Sequence, residues 1–169
     1  MIARSAVVML AALASGCTGV LNADLLRDEA SIARDPAAPE LALLEYRITR
    51  ILAAQPAQTV CAGIRATTSE KVGPVAGEAR LLQRFAGLSP LSRCRQSEEG
   101  NFDTETGAAA MIVDVHELKC EAPDNCTAWA GFVESSRRNG WAYFRATFAN
   151  GAWRIREEDL GIVVTGAAS

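Results

Sequence analysis

The chain has 169 residues, 49% hydrophobic and 22% charged, with 17 Lys and Arg against 20 Asp and Glu for a net charge of −3. That balance fits one ordinary folded domain and excludes a disordered tail. It offers no electrostatic reason to hold a nucleic-acid backbone, and no run of five or six like charges supplies an interaction arm.

At the N-terminus Arg4 precedes an apolar run from Ala6 to Ala14, then small residues, which is the layout of a secretory signal peptide. At about 1.5 Å per residue this run covers roughly half a bilayer's hydrocarbon thickness, so it reads as a leader and not as a spanning helix. The segment Leu13-Ala14-Ser15-Gly16-Cys17 resembles a bacterial lipobox, with Leu13 one place further from the cysteine than the family prefers. The resemblance implies cleavage before Cys17, acylation of that residue and a stable anchor in the lipid bilayer, since each buried CH₂ contributes about 0.8 kcal/mol. It also implies the bacterial cell envelope, facing the periplasm. Aspartate after the cysteine favours inner-membrane retention in such families, and Thr18 leans toward the outer membrane. The alternative is ordinary cleavage after Ala12-Leu13-Ala14, releasing a soluble periplasmic protein. The expected organisation is a signal peptide over 1–16, a lipidated cysteine and tether over 17–38, one domain over 39–165 and a tail over 166–169.

Five cysteines leave one odd in an exported chain, and lipidation of Cys17 removes it. Cys120 and Cys126 flank the turn-rich Glu121-Ala122-Pro123-Asp124-Asn125 and can approach to disulfide distance; Cys61 then pairs with Cys94 by elimination. A zinc site is the rival use, but there is no C-x-x-C and His116 is the single histidine. No metal is expected.

From Glu40 to Gln55, Leu41, Leu44, Ile48 and Ile51/Leu52 recur at three- and four-residue steps, which predicts a helix ended by Pro56. Residues 59–64 read as a short strand, 78–88 as a second helix stopped by Ser89-Pro90, and 93–107 as a loop. Four strands follow: Ala109 to Lys119, Thr127 to Arg138, Trp141 to Ala149 and Ala152 to Val164. Asn139-Gly140 and Asn150-Gly151 mark the last two junctions as two-residue hairpins, because both residue types tolerate the positive φ of a type I′ turn. Those turns would set Arg138 opposite Trp141, Glu134 opposite Arg145, Ala149 opposite Ala152 and Arg145 opposite Arg156. Trp129, Val133, Phe144, Ala146, Phe148, Trp153 and Ile155 would then face the core, joined by Met111, Val113 and Val115. Glu134, Arg145, Thr147, Arg154 and Arg156 would face away, with Phe132, Asp114 and His116.

The row Glu134, Arg145, Arg156 is the most site-like feature of this pattern. It is either a solvated charge ladder or a grip for a small acidic ligand, since two guanidinium forks on neighbouring strands can hold one carboxylate. Asp114-x-His116 puts a carboxylate and an imidazole on one strand face, the types needed for a base and its orienting partner, though residues i and i+2 lie about 7 Å apart along a strand. Neither a G-x-S-x-G elbow nor a phosphate-cradling glycine loop occurs, so no catalytic residue and no cofactor is expected.

The predicted class is α+β, with N-terminal helices packed on a curved antiparallel sheet that ends in a four-strand meander. The order of elements over 40–164, with the ending Tyr143-Phe144-Arg145 through Trp153-Arg154-Ile155, resembles the cystatin-like or nuclear-transport-factor-2-like group. The resemblance implies a cone-shaped pocket but matches no catalytic pattern here. The leading functional expectation is a non-enzymatic binding or assembly module of the envelope. Two alternatives stand beside it: a small-molecule hydrolase or isomerase with a pocket between helix 40–55 and the sheet, and an inhibitor or modulator of an envelope enzyme acting through hairpin loops such as 120–126.

Overall fold

The computed structural model describes residues 32–97 and 99–160. The leader, Cys17, the first part of the tether and residues 161–169 lie outside the described residues, and so does the expected end of the last strand near Val164.

Helix α1 spans Pro39–Ala54, with Pro39 in its first turn, where a missing N–H costs nothing, and Glu40 complementing the helix dipole. Its first two turns are buried on more than one side: Leu41, Ala42, Leu43, Leu44 and Ile48 are all inside. Residues 32–38 explain this. Although read as tether, they pack onto the body. Ile32 is buried, the Ala33 amide donates to Glu45 Oε2 at 2.9 Å, and Trp153 Nε1 donates to the Asp35 carbonyl at 2.8 Å. Helix α2, Glu78–Arg84, is shorter than its periodicity predicts because Phe85 turns extended (φ −123°, ψ 106°), and Leu88 bridges to Val60 instead.

Among the described residues seven strands form one sheet: β1 Thr59–Arg65, β2 Cys94–Arg95, β3 Asn101–Asp103, β4 Ala109–Ala122, β5 Asn125–Val133, β6 Asn139–Ala149 and β7 Ala152–Glu158. The class is α+β. The stretch read as a loop over 93–107 contributes β2 and β3. The sheet is also not wholly antiparallel: β1 runs parallel to β4, from Thr59 beside Ala110 to Arg65 beside His116. The long connection through α2 supplies the crossover that a parallel pair requires. With neighbours on both edges, β4 is buried continuously from Ala110 to His116.

Strands β4 to β7 make the expected meander. The β6–β7 hairpin has the predicted register, with Ala149 opposite Ala152 and Arg145 opposite Arg156; Asn150 (φ 55°) and Gly151 (φ 77°) form its turn. The β5–β6 hairpin does not. Its turn is 134–138, while Asn139 and Gly140 lie inside β6, so Trp141 sits opposite Gly131 and Arg145 opposite Thr127. The longer turn is closed by backbone bonds between Ser135 and Arg138 and by the Asn139 amide, which donates to the Ser136 carbonyl at 3.0 Å. The shift reverses the faces of β5 relative to the prediction. Ala128 and Ala130, not Trp129 and Val133, share the helix-side core with Val113, Val115, Phe144 and Ala146. Phe132 shares the parity of these alanines and not that of Asp114 and His116. Small side chains here let α1 approach the sheet, and Tyr46 meets the Phe144 ring edge-on at 5.8 Å.

Candidate functional site

The sheet face away from α1 carries a second, smaller core at one end, where Cys61, Ile112 and Cys94 pack with Val72 and Leu91. Cys61 and Cys94 form one disulfide with Cα atoms 6.5 Å apart; Cys120 and Cys126 form the other across the β4–β5 hairpin. Beyond that core the register lays out a row across five strands: Arg65, His116, Trp129, Tyr143 and Glu158. The adjoining row is Gly63, Asp114, Gly131 and Trp141. Gly131 decides where Trp141 goes. A Cβ there would collide with the Gly140 carbonyl and lie 2.7 Å from Trp141 Cα, so only glycine lets the indole lie across the strand.

Trp141 then reaches Asp114. Its Nε1 donates to Asp114 Oδ1 at 2.9 Å, while Oδ2 accepts from Arg65 Nε at 2.8 Å and faces His116 Nδ1 at 2.9 Å. All three charged or titratable partners are inside: side-chain exposure is 6% for Arg65, 0% for Asp114 and 1% for His116. A buried carboxylate this well paired is one the fold can tolerate, since each oxygen has a donor and one donor is a cation. Arg65 also lies over the Trp141 ring at 5.2 Å, and His116 packs between Trp129 and Trp141 at 6.4 and 6.1 Å.

His116 marks a break in the ladder. The β4–β5 register shifts between His116 and Lys119, and Glu117 takes φ 52°, an uncommon conformation for a residue with a side chain. Two clefts meet at His116 and Glu117. One, about 540 Å³, is lined by Thr68, Trp129, Asn139, Gly140 and Trp141; the other, about 590 Å³, extends past Arg65 and Ala66 to Glu40. Strained backbone beside a bulge at a cleft is a pattern associated with binding sites.

Chemically the arrangement joins an imidazole to a carboxylate through one short contact, Nδ1 to Oδ2 at 2.9 Å. This is the contact of a base with its orienter. Both residues are legible in the sequence, where their spacing along the strand counts against a contact. Measured along the strand, i and i+2 are far apart; the side chains lean together because Arg65 and Trp141 hold Asp114 from the other sides. Among the described residues no group of three or more His, Cys, Asp or Glu side chains is placed to hold a metal ion.

The other expected site residues fall elsewhere. Arg145 and Arg156 do face each other, and the acceptor they share is Glu158: Arg156 Nη2 lies at 2.8 Å and Arg145 Nε at 3.2 Å. Arg156 first, and Arg145 beside it, hold the Glu158 carboxyl below the ordinary range. Glu134 is not in this row; it belongs to the 134–138 turn and pairs with Arg138 at 2.9 Å. The cleft between α1 and the sheet edge, about 450 Å³, is lined by Ala42, Tyr46, Trp153 and Ile155, and its carboxylate, Glu45, is bonded to Arg84 at 3.1 Å. No local pattern marks Arg65 or Trp141 as site residues, and only the cross-strand register brings them to Asp114.

Compared with protein-family models, with curated proteins and with solved structures, the chain matches none.

Proposed function

We propose that this chain is an exported bacterial envelope protein, anchored in lipid through Cys17, whose folded body is a binding module with its ligand cleft around His116. Cysteine arithmetic carries the reading. Four cysteines lie in two disulfide-bonded pairs, which suits an oxidising compartment and leaves Cys17 of the lipobox-like segment as the odd one. Among the described residues no helix is long and apolar enough to cross a membrane, which is compatible with an anchor made of acyl chains. A module that binds is favoured by Asp114, whose two oxygens are both engaged in holding neighbours in place. Kinship with the cystatin-like or nuclear-transport-factor-2-like group belongs to the same proposal, supported by a long N-terminal helix laid on one face of a meander.

A hydrolase or isomerase is the second reading, favoured by the 2.9 Å contact of Asp114 with His116. Intact mass spectrometry of the protein expressed in a bacterium tests the first. The expected mass corresponds to cleavage before Cys17 plus acyl chains, with no titratable thiol. Cleavage after Ala14, or free thiols in the mature protein, would overturn it.

A further inference from the structure

Strand β7 stops short of its neighbour. Tyr143 opposite Glu158 is the last pair between β6 and β7, although β6 begins at Asn139, so residues 139–142 have β5 on one side and, among the described residues, no strand on the other. In a two-residue hairpin the pair next to the turn exchanges both backbone bonds and every second pair repeats them, a series that runs through Ala149/Ala152, Arg145/Arg156 and Tyr143/Glu158. Carried further, it turns the N–H and C=O of Trp141 and Asn139 toward the unpaired side. Such groups on a sheet edge are a template for another strand. A cleft of about 430 Å³ lies along this edge, lined by Trp129, Trp141, Ala142, Tyr143 and the chain from Glu157 to Leu160. Leu160, in its wall, is 45% exposed, the large apolar side chain that the described residues leave in water.

The alternation of the sequence matches this edge. On the face away from α1, β7 sets Arg154 opposite Thr147, Arg156 opposite Arg145 and Glu158 opposite Tyr143. Positions of the same parity continue as Leu160, Ile162 and Val164, so these side chains become apolar where the β6 face changes from Thr147 and Arg145 to Tyr143 and Trp141. The register carried on from Glu158 puts Leu160 opposite Trp141 and Ile162 opposite Asn139, and aliphatic side chains beside aromatic ones on neighbouring strands are favourable pairs. Ile162-Val163-Val164 is β-branched throughout, which suits a pleated strand. We infer that the 139–142 edge of β6 is a docking site for the chain's own continuation, residues 160–164, which adds to it as an antiparallel strand and lays Leu160 and Ile162 on the same face as Trp129 and Trp141. The segment thereby blocks an edge on which a second chain could add. This inference does not depend on a ligand being bound at His116.

NMR of the folded protein tests this directly. Antiparallel pairs that do not exchange backbone bonds bring their Hα atoms close, so nuclear Overhauser contacts are expected between Hα of Ala142 and Asp159 and between Hα of Gly140 and Gly161. The Trp141 amide should exchange with solvent about tenfold more slowly, or slower still, than in Ile162→Asp. That variant should also move the Trp141 indole signal while leaving the Trp153 indole, on the other face of the sheet, in place as a report that the fold is kept. Should Ile162→Asp fail to fold, the Overhauser contacts in the unaltered protein decide alone. Contacts seen only between differently labelled copies, and growing with concentration, would overturn the assignment in favour of a second chain on the same edge. Absence of both contacts, with a fast-exchanging Trp141 amide, would overturn the docking site itself.

Discussion

Asp114→Ala is the most informative single change to this molecule. It removes the acceptor for Arg65 at 2.8 Å, His116 at 2.9 Å and Trp141 at 2.9 Å, and strands a guanidinium whose side chain is 6% exposed. Breaking a buried ion pair by deleting one partner costs about 3–5 kcal/mol, a large share of the roughly 5–15 kcal/mol that holds a domain folded. With a urea dependence of about 2 kcal/mol per molar, the unfolding midpoint should fall by about 1.5–2.5 M. Circular dichroism in the far ultraviolet follows the transition without depending on Trp141. The cost comes mainly from the abandoned cation, so adding Arg65→Met to Asp114→Ala should restore at least about 1 kcal/mol. A midpoint shift below about 0.5 M for the single variant, or a double variant no better than the sum of its parts, would refute the argument that this pair is buried and mutually dependent.

Acid should weaken the fold in a defined direction. The Asp103 carboxyl is held well below its ordinary range by hydrogen bonds from Ser89 and Arg93, Asp35 is lowered by Arg80, and Glu158 by Arg156. A carboxyl whose pKa is depressed by folding adds stability that is complete above the unfolded value, about 4, and is lost as pH falls through it toward the folded value. The melting temperature should therefore change little on account of these groups between pH 7 and 5 and drop below about pH 4, less steeply in Asp103→Asn; a rise on acidification would contradict the assignment. Trp153→Asp should prevent folding, because this side chain is 5% exposed and ties Asp35 to the core, whereas Arg156→Ala, 76% exposed, should alter stability by less than about 0.5 kcal/mol. Thermal melts of the two variants side by side would expose a reversed ranking and with it a wrong assignment of sheet faces.

Local pattern alone determined several parts of this protein. Helix α1 follows from apolar steps of three and four closed by Pro56, the β6–β7 hairpin from Asn150-Gly151, and both disulfides from spacing and elimination. Each of these is a short-range property, decided by backbone conformation within a few residues or by a small number of candidate partners. The face assignment of β5 was not of this kind. Strand side chains repeat every two residues, so a register moved by an odd number of places turns every one of them to the opposite face. Local chemistry allowed the turn at Asn139-Gly140 as readily as at 134–138, and the bulge after His116 left no mark in the alternation of β4. Tertiary packing chose between them: α1 needs the small Ala128 and Ala130 beneath it, and Asp114 needs Trp141, 27 residues away, and Arg65, 49 residues away, to satisfy its charge. A buried carboxylate must find its donors wherever the chain brings them, and no local pattern encodes that requirement.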